Sequence, residues 1–363
     1  MIAMLLRLIA LACVCLSLVG FTTAHLPALS LSERLAAPGG VSPLLPRDRI
    51  EAMFARLPHR EGFVPVNGVP LYWRALDPGD YGLRYRYAGG TADNRMDFQL
   101  DFSTSAKPSP QTPRGTVVLL HGWMMDGGSL LPWALELAQA GYRTISVDLR
   151  NHGRSGTAPS GYGTREGEDV VAMLRALHER GEVTGPLHVM GVSYGAATAI
   201  FTARDLGVQA GGVVAMESFD NAGGAIRDMV PHMLTRPASN WRDRLALPLA
   251  RWRYSGDSLN VAIAQADRKL GLDLDKVDVG AALAQAPACV LLIHGDADRH
   301  IPVAHGRLLA AASKRARYLE IPNEDHLSLP MRLDRLAPTV IDWFNRTPTA
   351  TPACPQPLPP GRA

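Results

Sequence analysis

Residues 187–197, Leu-His-Val-Met-Gly-Val-Ser-Tyr-Gly-Ala-Ala, constrain this chain more than any other stretch. An apolar run of strand length meets an abrupt turn at Ser193, and a helix-forming segment follows through Thr198-Ala199-Ile200-Phe201. A serine on so tight a turn tolerates no bulk where strand and helix approach. Gly191 and Gly195, two residues to either side, supply that room. The turn lifts the hydroxyl above the strand ends and surrounds it with the free N–H groups of a helix start. Ser193 is therefore the candidate nucleophile.

The surrounding pattern says what such a turn is built into. From Thr116 onward, short apolar runs alternate with helical segments. Strands are expected at 116–120, 143–147, 187–192, 212–217, 289–294 and 316–321. Helices are expected at 130–140, 164–180, after Ser193, at 303–312 and up to about 345. Alternation of this kind builds a parallel sheet covered by helices on both faces. Earlier in the chain, 47–57 reads as a short helix, and 81–87 and 96–102 as two strands. No internal repeat interrupts the pattern.

A serine hydroxyl is a weak nucleophile without a histidine base, a carboxylate to orient it and donors for the oxyanion. In such sheets these groups belong at the C-terminal ends of strands. Those ends carry His121-Gly122-Trp123, then His294-Gly295-Asp296-Ala297-Asp298, then Glu324-Asp325-His326. The chain order is Ser, Asp, His. Asp296 competes with Asp298 for the acid because both follow one strand, and Glu217 at the end of the preceding strand is a third candidate.

With these residues, and with Asp148-Leu149-Arg150-Asn151-His152-Gly153-Arg154-Ser155, the chain resembles the α/β-hydrolase-fold serine hydrolases from about Thr116 to Asn345. It is most similar to their serine aminopeptidase and lysophospholipase-like esterase branch. The resemblance implies an α/β fold with a mostly parallel central sheet, helices on both faces and an inserted helical cap. It also implies Ser193 as nucleophile, His326 as base, and Asp298 as acid by its Gly-x-x-Asp spacing. The backbone N–H groups of Trp123 and Tyr194 would form the oxyanion hole. One departure is Asp325, which stands before the base where these enzymes usually carry glycine. His121, His152 and His294 occupy loop-bracing positions in such folds, and Asp148 holds its own turn. His300 and His305 read as solvated residues at a helix entry.

The cap is expected at 219–287, with helical patches around 241–254 and 260–270. Arg242, Arg244, Arg251 and Arg253 accompany Trp241, Leu245, Leu247, Leu249 and Trp252. An ordinary cap helix with a solvated arginine face is one reading. The other is a lid in peripheral contact with anionic lipid or an acidic substrate. Trp241, Leu245, Leu249 and Trp252 could also form an apolar wall facing Ser193.

Outside this region the composition changes. Arg7, the apolar run 8–18 and Thr22-Thr23-Ala24 have the build of a secretory signal peptide over 1–24, so export to the periplasm or medium is expected. An uncleaved membrane anchor is the rival reading. The residues before Cys13 and Cys15 fit a lipoprotein signal poorly. Residues 25–46, broken by prolines and glycines, read as a linker into a domain at 47–346. The tail 347–363 holds six prolines and reads as disordered. Cys289 and Cys354 read as two unpaired thiols, and no Cys/His spacing suggests a metal.

A formal net charge of +3 and no basic stripe argue against a nucleic-acid partner. The reading is an exported serine hydrolase that cleaves a small carboxylic ester or acyl substrate without a cofactor. Peptide hydrolysis of the aminopeptidase kind and a non-catalytic binding module on the same fold are the alternatives.

Overall fold

The computed structural model describes residues 30–37, 47–90, 95–103, 107–109, 111–235, 237–238, 241–349 and 353–361. The leader expected over residues 1–24 lies outside them. The centre is an eight-stranded sheet: β1 (Arg60–Val66), β2 (Val69–Leu76), β3 (Thr116–Leu120), β4 (Arg143–Val147), β5 (Leu187–Val192), β6 (Ala210–Met216), β7 (Val290–Gly295) and β8 (Ala316–Ile321). Their spatial order is β1-β2-β4-β3-β5-β6-β7-β8. β1 and β2 pair antiparallel, β2 meets β4 antiparallel, and β4 through β8 are parallel. Strands 84–90 and 95–101 form a separate hairpin beside this sheet.

Eleven helices are described: α1 (Leu31–Ala36), α2 (Arg47–Phe54), α3 (Leu131–Gln139), α4 (Thr164–Glu179), α5 (Tyr194–Leu206), α6 (Ala222–Leu234), α7 (Trp241–Arg253), α8 (Asp257–Leu270), α9 (Val279–Gln285), α10 (Val303–Ala312) and α11 (Leu333–Arg346). Because side chains alternate along a strand, each central strand feeds two cores. Val118, Leu120, Val189, Val213 and Leu292 pack on one face with α4 and α5. Val117, Leu119, Met190, Val214 and Leu291 pack on the other with α3 and α11. Burial on both faces is why these strands read as continuous apolar runs. This is the architecture the resemblance implied, with α6 to α9 inserted between β6 and β7.

β1 and β2 lie upstream of the region where the sequence alternates regularly. Their link is Asn67-Gly68, with φ of 47° and 78°, between the paired Val66 and Val69. Positive φ at both turn residues matches the twist of a two-residue hairpin. Pro65 and Pro70 face each other in the same hairpin, and their strand-breaking signal masks the pattern.

Three expectations need correction. Within the supposed linker 25–46, α1 carries a capping box between Ser30 and Glu33. It buries Leu35, whose carbonyl accepts from Tyr162 Oη at 2.8 Å, and Lys269 of α8 pairs with Glu33 at 3.5 Å. Secondly, Cys289 and Cys354 are not free thiols but a disulfide. Thirdly, the tail is ordered over 353–361. Arginines hold it through main-chain carbonyls between the prolines: Arg317 donates to the Cys354 carbonyl and Arg346 to that of Gln356, each at 2.7 Å. Gly361 N–H then donates to Arg335 O at 2.9 Å.

Candidate active site

Ser193 sits between β5 and α5 with φ 54° and ψ −116°, a conformation that few residues other than glycine adopt. The flanking glycines are required by contact. A Cβ at Gly191 would stand 2.0 Å from the Gly195 carbonyl oxygen, and one at Gly195 would stand 2.1 Å from that of Leu120. The Ser193 N–H donates to Met216 O at 2.8 Å and pins the turn to the end of β6.

The structure brings Ser193, His326 and Asp298 into one hydrogen-bonded row. The Ser193 hydroxyl lies 2.9 Å from His326 Nε2, and His326 Nδ1 lies 2.7 Å from Asp298 Oδ2. An ionised carboxylate only accepts, so Nδ1 carries the proton and Nε2 is left to accept from Ser193. Asp298 is buried, which raises its pKa. His326, His294 and the Ile301 N–H outweigh that, and the carboxyl is held below the usual carboxylate range. Its Oδ1 accepts from His300 N and Ile301 N at 2.8 and 2.9 Å, which fixes the carboxylate plane. Asp296 is exposed and instead accepts from Asn323 N at 2.7 Å.

Asp325 shows how the loop manages without glycine. Its Oδ1 accepts from Leu327 N at 2.9 Å and Ser328 N at 2.8 Å, so the side chain builds the turn that presents His326. Asp325 is not among the positive-φ residues, so glycine's freedom is unnecessary there.

Glu217 ends up closer than a third candidate should. It is fully buried, has φ 54°, and places Oε2 3.4 Å from His326 Nδ1. Burial, reinforced by the Asp298 charge, raises its pKa well above the ordinary value and so favours the neutral carboxyl. Glu217, Asp298 and His326 offer one donor atom each within 4.8 Å, the only such metal-sized set among the described residues. The 2.7 Å bond already engages His326 Nδ1 and Asp298, so the set reads as part of the hydrogen-bonded row.

The loop after β3 abuts Ser193: a Cβ on Gly122 would stand 3.7 Å from that of Ser193. Trp123 follows in this loop, and Tyr194 is the first residue of α5, so its N–H has no carbonyl behind it within the helix. His121, buried, accepts from Leu149 N at 3.1 Å, and His152 accepts from Met124 N at 3.3 Å. Burial lowers their pKa values to about 4 and about 3, so both are neutral braces. His294 lies 2.8 Å from Ile301 O, and Asp148 accepts from Gly127 N and Arg154 N at 2.7 Å each.

His305 is buried and His300 half-buried, where the sequence reading had both as solvated. His300 lines the cavity at Ser193, with its ring 5.2 Å from that of His326 and 4.5 Å from that of His232. Burial first, then the neighbouring His326 and His232, lower its pKa to about 4. His305 is buried, with Nδ1 against Asp220 and Nε2 3.0 Å from Asp228, a clamp between α10 and α6. The β6–β7 insertion folds these acidic residues back onto the body of the protein.

A cavity of about 240 Å³ opens at Ser193 and His326. Its apolar lining comes from Met124, Met125, Leu130, Val192, Met229, Met233, Leu327, Pro330 and Met331. Trp241, Leu245, Leu249 and Trp252 do not form a wall here. They are 62–73% exposed, and α6 supplies the cap's share of the lining through Met229 and Met233. Sequence reasoning missed these methionines because a helix's apolar residues do not reveal which neighbour they face.

The sequence pattern of the alpha/beta hydrolase family matches residues 117–339, more than half the chain. An uncharacterised Bacillus subtilis protein, YqkD, is 27% identical over 95 residues, 26% of this chain and 31% of its own length. Among solved structures, the Pyrococcus furiosus esterase Pf2001 superposes with a TM-score of 0.57 at 16% identity, covering 86% of this chain and 99% of its own. A 2,6-dihydroxy-pseudo-oxynicotine hydrolase gives 0.57 at 14% identity, over 86% and 74%. A Pseudomonas aeruginosa hydrolase gives 0.51 at 19%, over 78% and 97%. At these identities the structural likeness concerns the fold.

Proposed function

Because the chain belongs to the alpha/beta hydrolase family, we propose that it is an exported serine hydrolase cleaving small carboxylic esters, of the lysophospholipase-like esterase kind. The observation that carries this reading is the Ser193–His326–Asp298 row opening directly into an apolar cavity. As Ser193 Oγ attacks the ester carbonyl, His326 Nε2 takes the hydroxyl proton, and Asp298 supports the imidazolium that forms. The Trp123 and Tyr194 N–H groups receive the developing oxyanion. Collapse releases the alcohol, which takes the proton from His326 and leaves an acyl group on Ser193. His326 then deprotonates a water, and attack on the acyl-enzyme returns free acid and the serine hydroxyl.

The cavity falls below the roughly 300–1,000 Å³ of drug-sized ligand sites, which favours a short or medium acyl group. No carboxylate is among its described lining residues, so a substrate ammonium group would meet no counter-charge from them. That favours ester over aminopeptidase substrates. Export is supported by the Cys289–Cys354 disulfide, since such bonds persist in oxidising compartments, and by the leader-like start.

A fluorophosphonate probe should label wild-type protein at Ser193 and leave Ser193→Ala unlabelled. Absence of labelling would favour a binding module. A panel of p-nitrophenyl esters and aminoacyl anilides then decides the substrate class, and faster anilide cleavage would overturn the esterase reading. N-terminal sequencing from the native host should give a start near His25. Intact Met1 in the membrane fraction would support the anchor instead.

A further inference from the structure

The outer face of α7 is an apolar feature that the active site leaves unused. Trp241, Leu245, Leu249 and Trp252 are 67%, 70%, 62% and 73% exposed. Their spacing of four, four and three residues places them on an arc of about 80° at 100° per residue. Leu247, on the other side, is the helix's buried anchor. A continuous ridge of two tryptophans and two leucines is not ordinary surface scatter.

Its surroundings indicate what the ridge meets. The α7 sequence holds four arginines against one aspartate. Arg244 and Arg251 are exposed along one flank and Arg253 along the other. The two tryptophans stand at the ends of the ridge, where rings with one polar N–H suit a boundary between apolar and wet surroundings. A helix of 13 residues is far too short to span a bilayer, but it can lie in the interface plane. A symmetric pairing of two copies through this face would set arginine flank against arginine flank, which disfavours a second copy as occupant.

We propose that α7 docks on an anionic lipid surface, sinking the Trp241–Leu245–Leu249–Trp252 ridge among the acyl chains while its arginines meet the headgroups. Docking would bring the active site to lipid-like acyl esters. Arg251 Nε donates to Leu234 O at 2.6 Å, joining α7 to the end of α6, and α6 lines the cavity with Met229 and Met233. Met233 and Leu327 are themselves 40% and 36% exposed and extend apolar surface from the cavity outward. The substrate part of this proposal rests on the esterase reading; the docking part does not.

The test uses full-length Ser193→Ala protein, which cannot consume the vesicles. It is mixed with vesicles of equal parts phosphatidylglycerol and phosphatidylcholine, or of phosphatidylcholine alone, and sedimented. The protein should pellet with the anionic vesicles, with a blue shift in tryptophan emission. Leu245→Ser/Leu249→Ser should weaken that binding by roughly tenfold or more. Arg244→Gln/Arg253→Gln should lower it toward the phosphatidylcholine level. Thermal melting checks that these surface variants fold. No pelleting, or pelleting unchanged in the ridge variants, would overturn the proposal. So would a concentration-dependent dimer in the absence of vesicles that the ridge variants abolish. Because nothing in the assay depends on turnover, failure of the esterase reading would leave this result readable.

Discussion

Glu217 Oε2 lies 3.4 Å from His326 Nδ1, the same nitrogen that Asp298 meets at 2.7 Å. Two carboxyls therefore share one side of the His326 ring, and environment separates them. Asp298 receives backbone donors and is held ionised, whereas burial pushes Glu217 toward its neutral form.

That difference predicts the behaviour of Glu217→Gln. A neutral amide replaces a carboxyl of nearly equal shape that burial pushes toward neutrality, so kcat/KM near neutral pH should stay within about tenfold of wild type. The stability effect has a definite sign. A carboxyl with a raised folded pKa binds more protons folded than unfolded, so its contribution is fully present below the unfolded pKa. It is lost as pH rises toward the folded one. Thermal melts should show Glu217→Gln gaining relative to wild type as pH increases. A variant that loses ground on alkalinisation would show that Glu217 is ionised.

Removal of Ser193, His326 or Asp298 should damage turnover in a shared way. Ser193→Ala and His326→Ala should each lower kcat by roughly 10⁴–10⁶-fold, Asp298→Asn somewhat less, and the double variants should be no worse than the worse single. Asp296→Asn should be nearly silent, since Asp296 holds only the Asn323 amide. Steady-state kinetics on one p-nitrophenyl ester decides the matter. A larger loss for Asp296→Asn than for Asp298→Asn would reverse the assignment of the acid.

The cavity wall predicts acyl selectivity. Met233→Trp adds bulk at the rim and should shift the preferred p-nitrophenyl ester to a shorter acyl chain, while fluorophosphonate labelling of Ser193 persists. An unchanged chain-length profile would mean that the acyl group does not occupy this cavity.

His305 joins α10 to the cap through Asp220 and Asp228. Burial lowers its pKa, the two carboxylates raise it, and the net direction is upward. Its contribution is thus fully present below the unfolded histidine value of 6.5 and fades as pH rises through the folded one. Hydrogen exchange in α6 should accelerate as pH rises from 6 to 8, beyond the intrinsic rate change, and His305→Gln should remove that excess.

The Cys289–Cys354 bond, spanning 65 residues, ties the tail to the start of β7. Cys354→Ser should cost about 2–4 kcal/mol of stability, read as a lower Tm, and should expose residues 353–361 to proteolysis. Ester turnover should survive, because neither cysteine lines the cavity.

Much of the site was legible in the sequence because it is written locally. A turn that demands glycine at two flanking positions, a strand–helix alternation and the residues just past each strand are short-range properties. They pointed to Ser193 and His326 and to a carboxylate after β7. The preference for Asp298 over Asp296, and the bracing of His121 and His152, came only from the family resemblance.

What only the tertiary structure decided is the meeting of distant segments. Cys354 reads as a tail residue until Arg317 of β8 captures its own carbonyl and Arg346 of α11 that of Gln356. β1 and β2 were hidden because Pro65 and Pro70 blur their alternation, although Asn67-Gly68 marks their turn. His300 and His305 looked like surface residues because nothing local shows that α6 folds back over them. The sequence of α7 is apolar on two sides, and periodicity alone does not say which side turns inward. Leu247 went in and the Trp241–Trp252 ridge stayed out, because burial depends on the shape of the surface a helix lands on as well as on its own pattern.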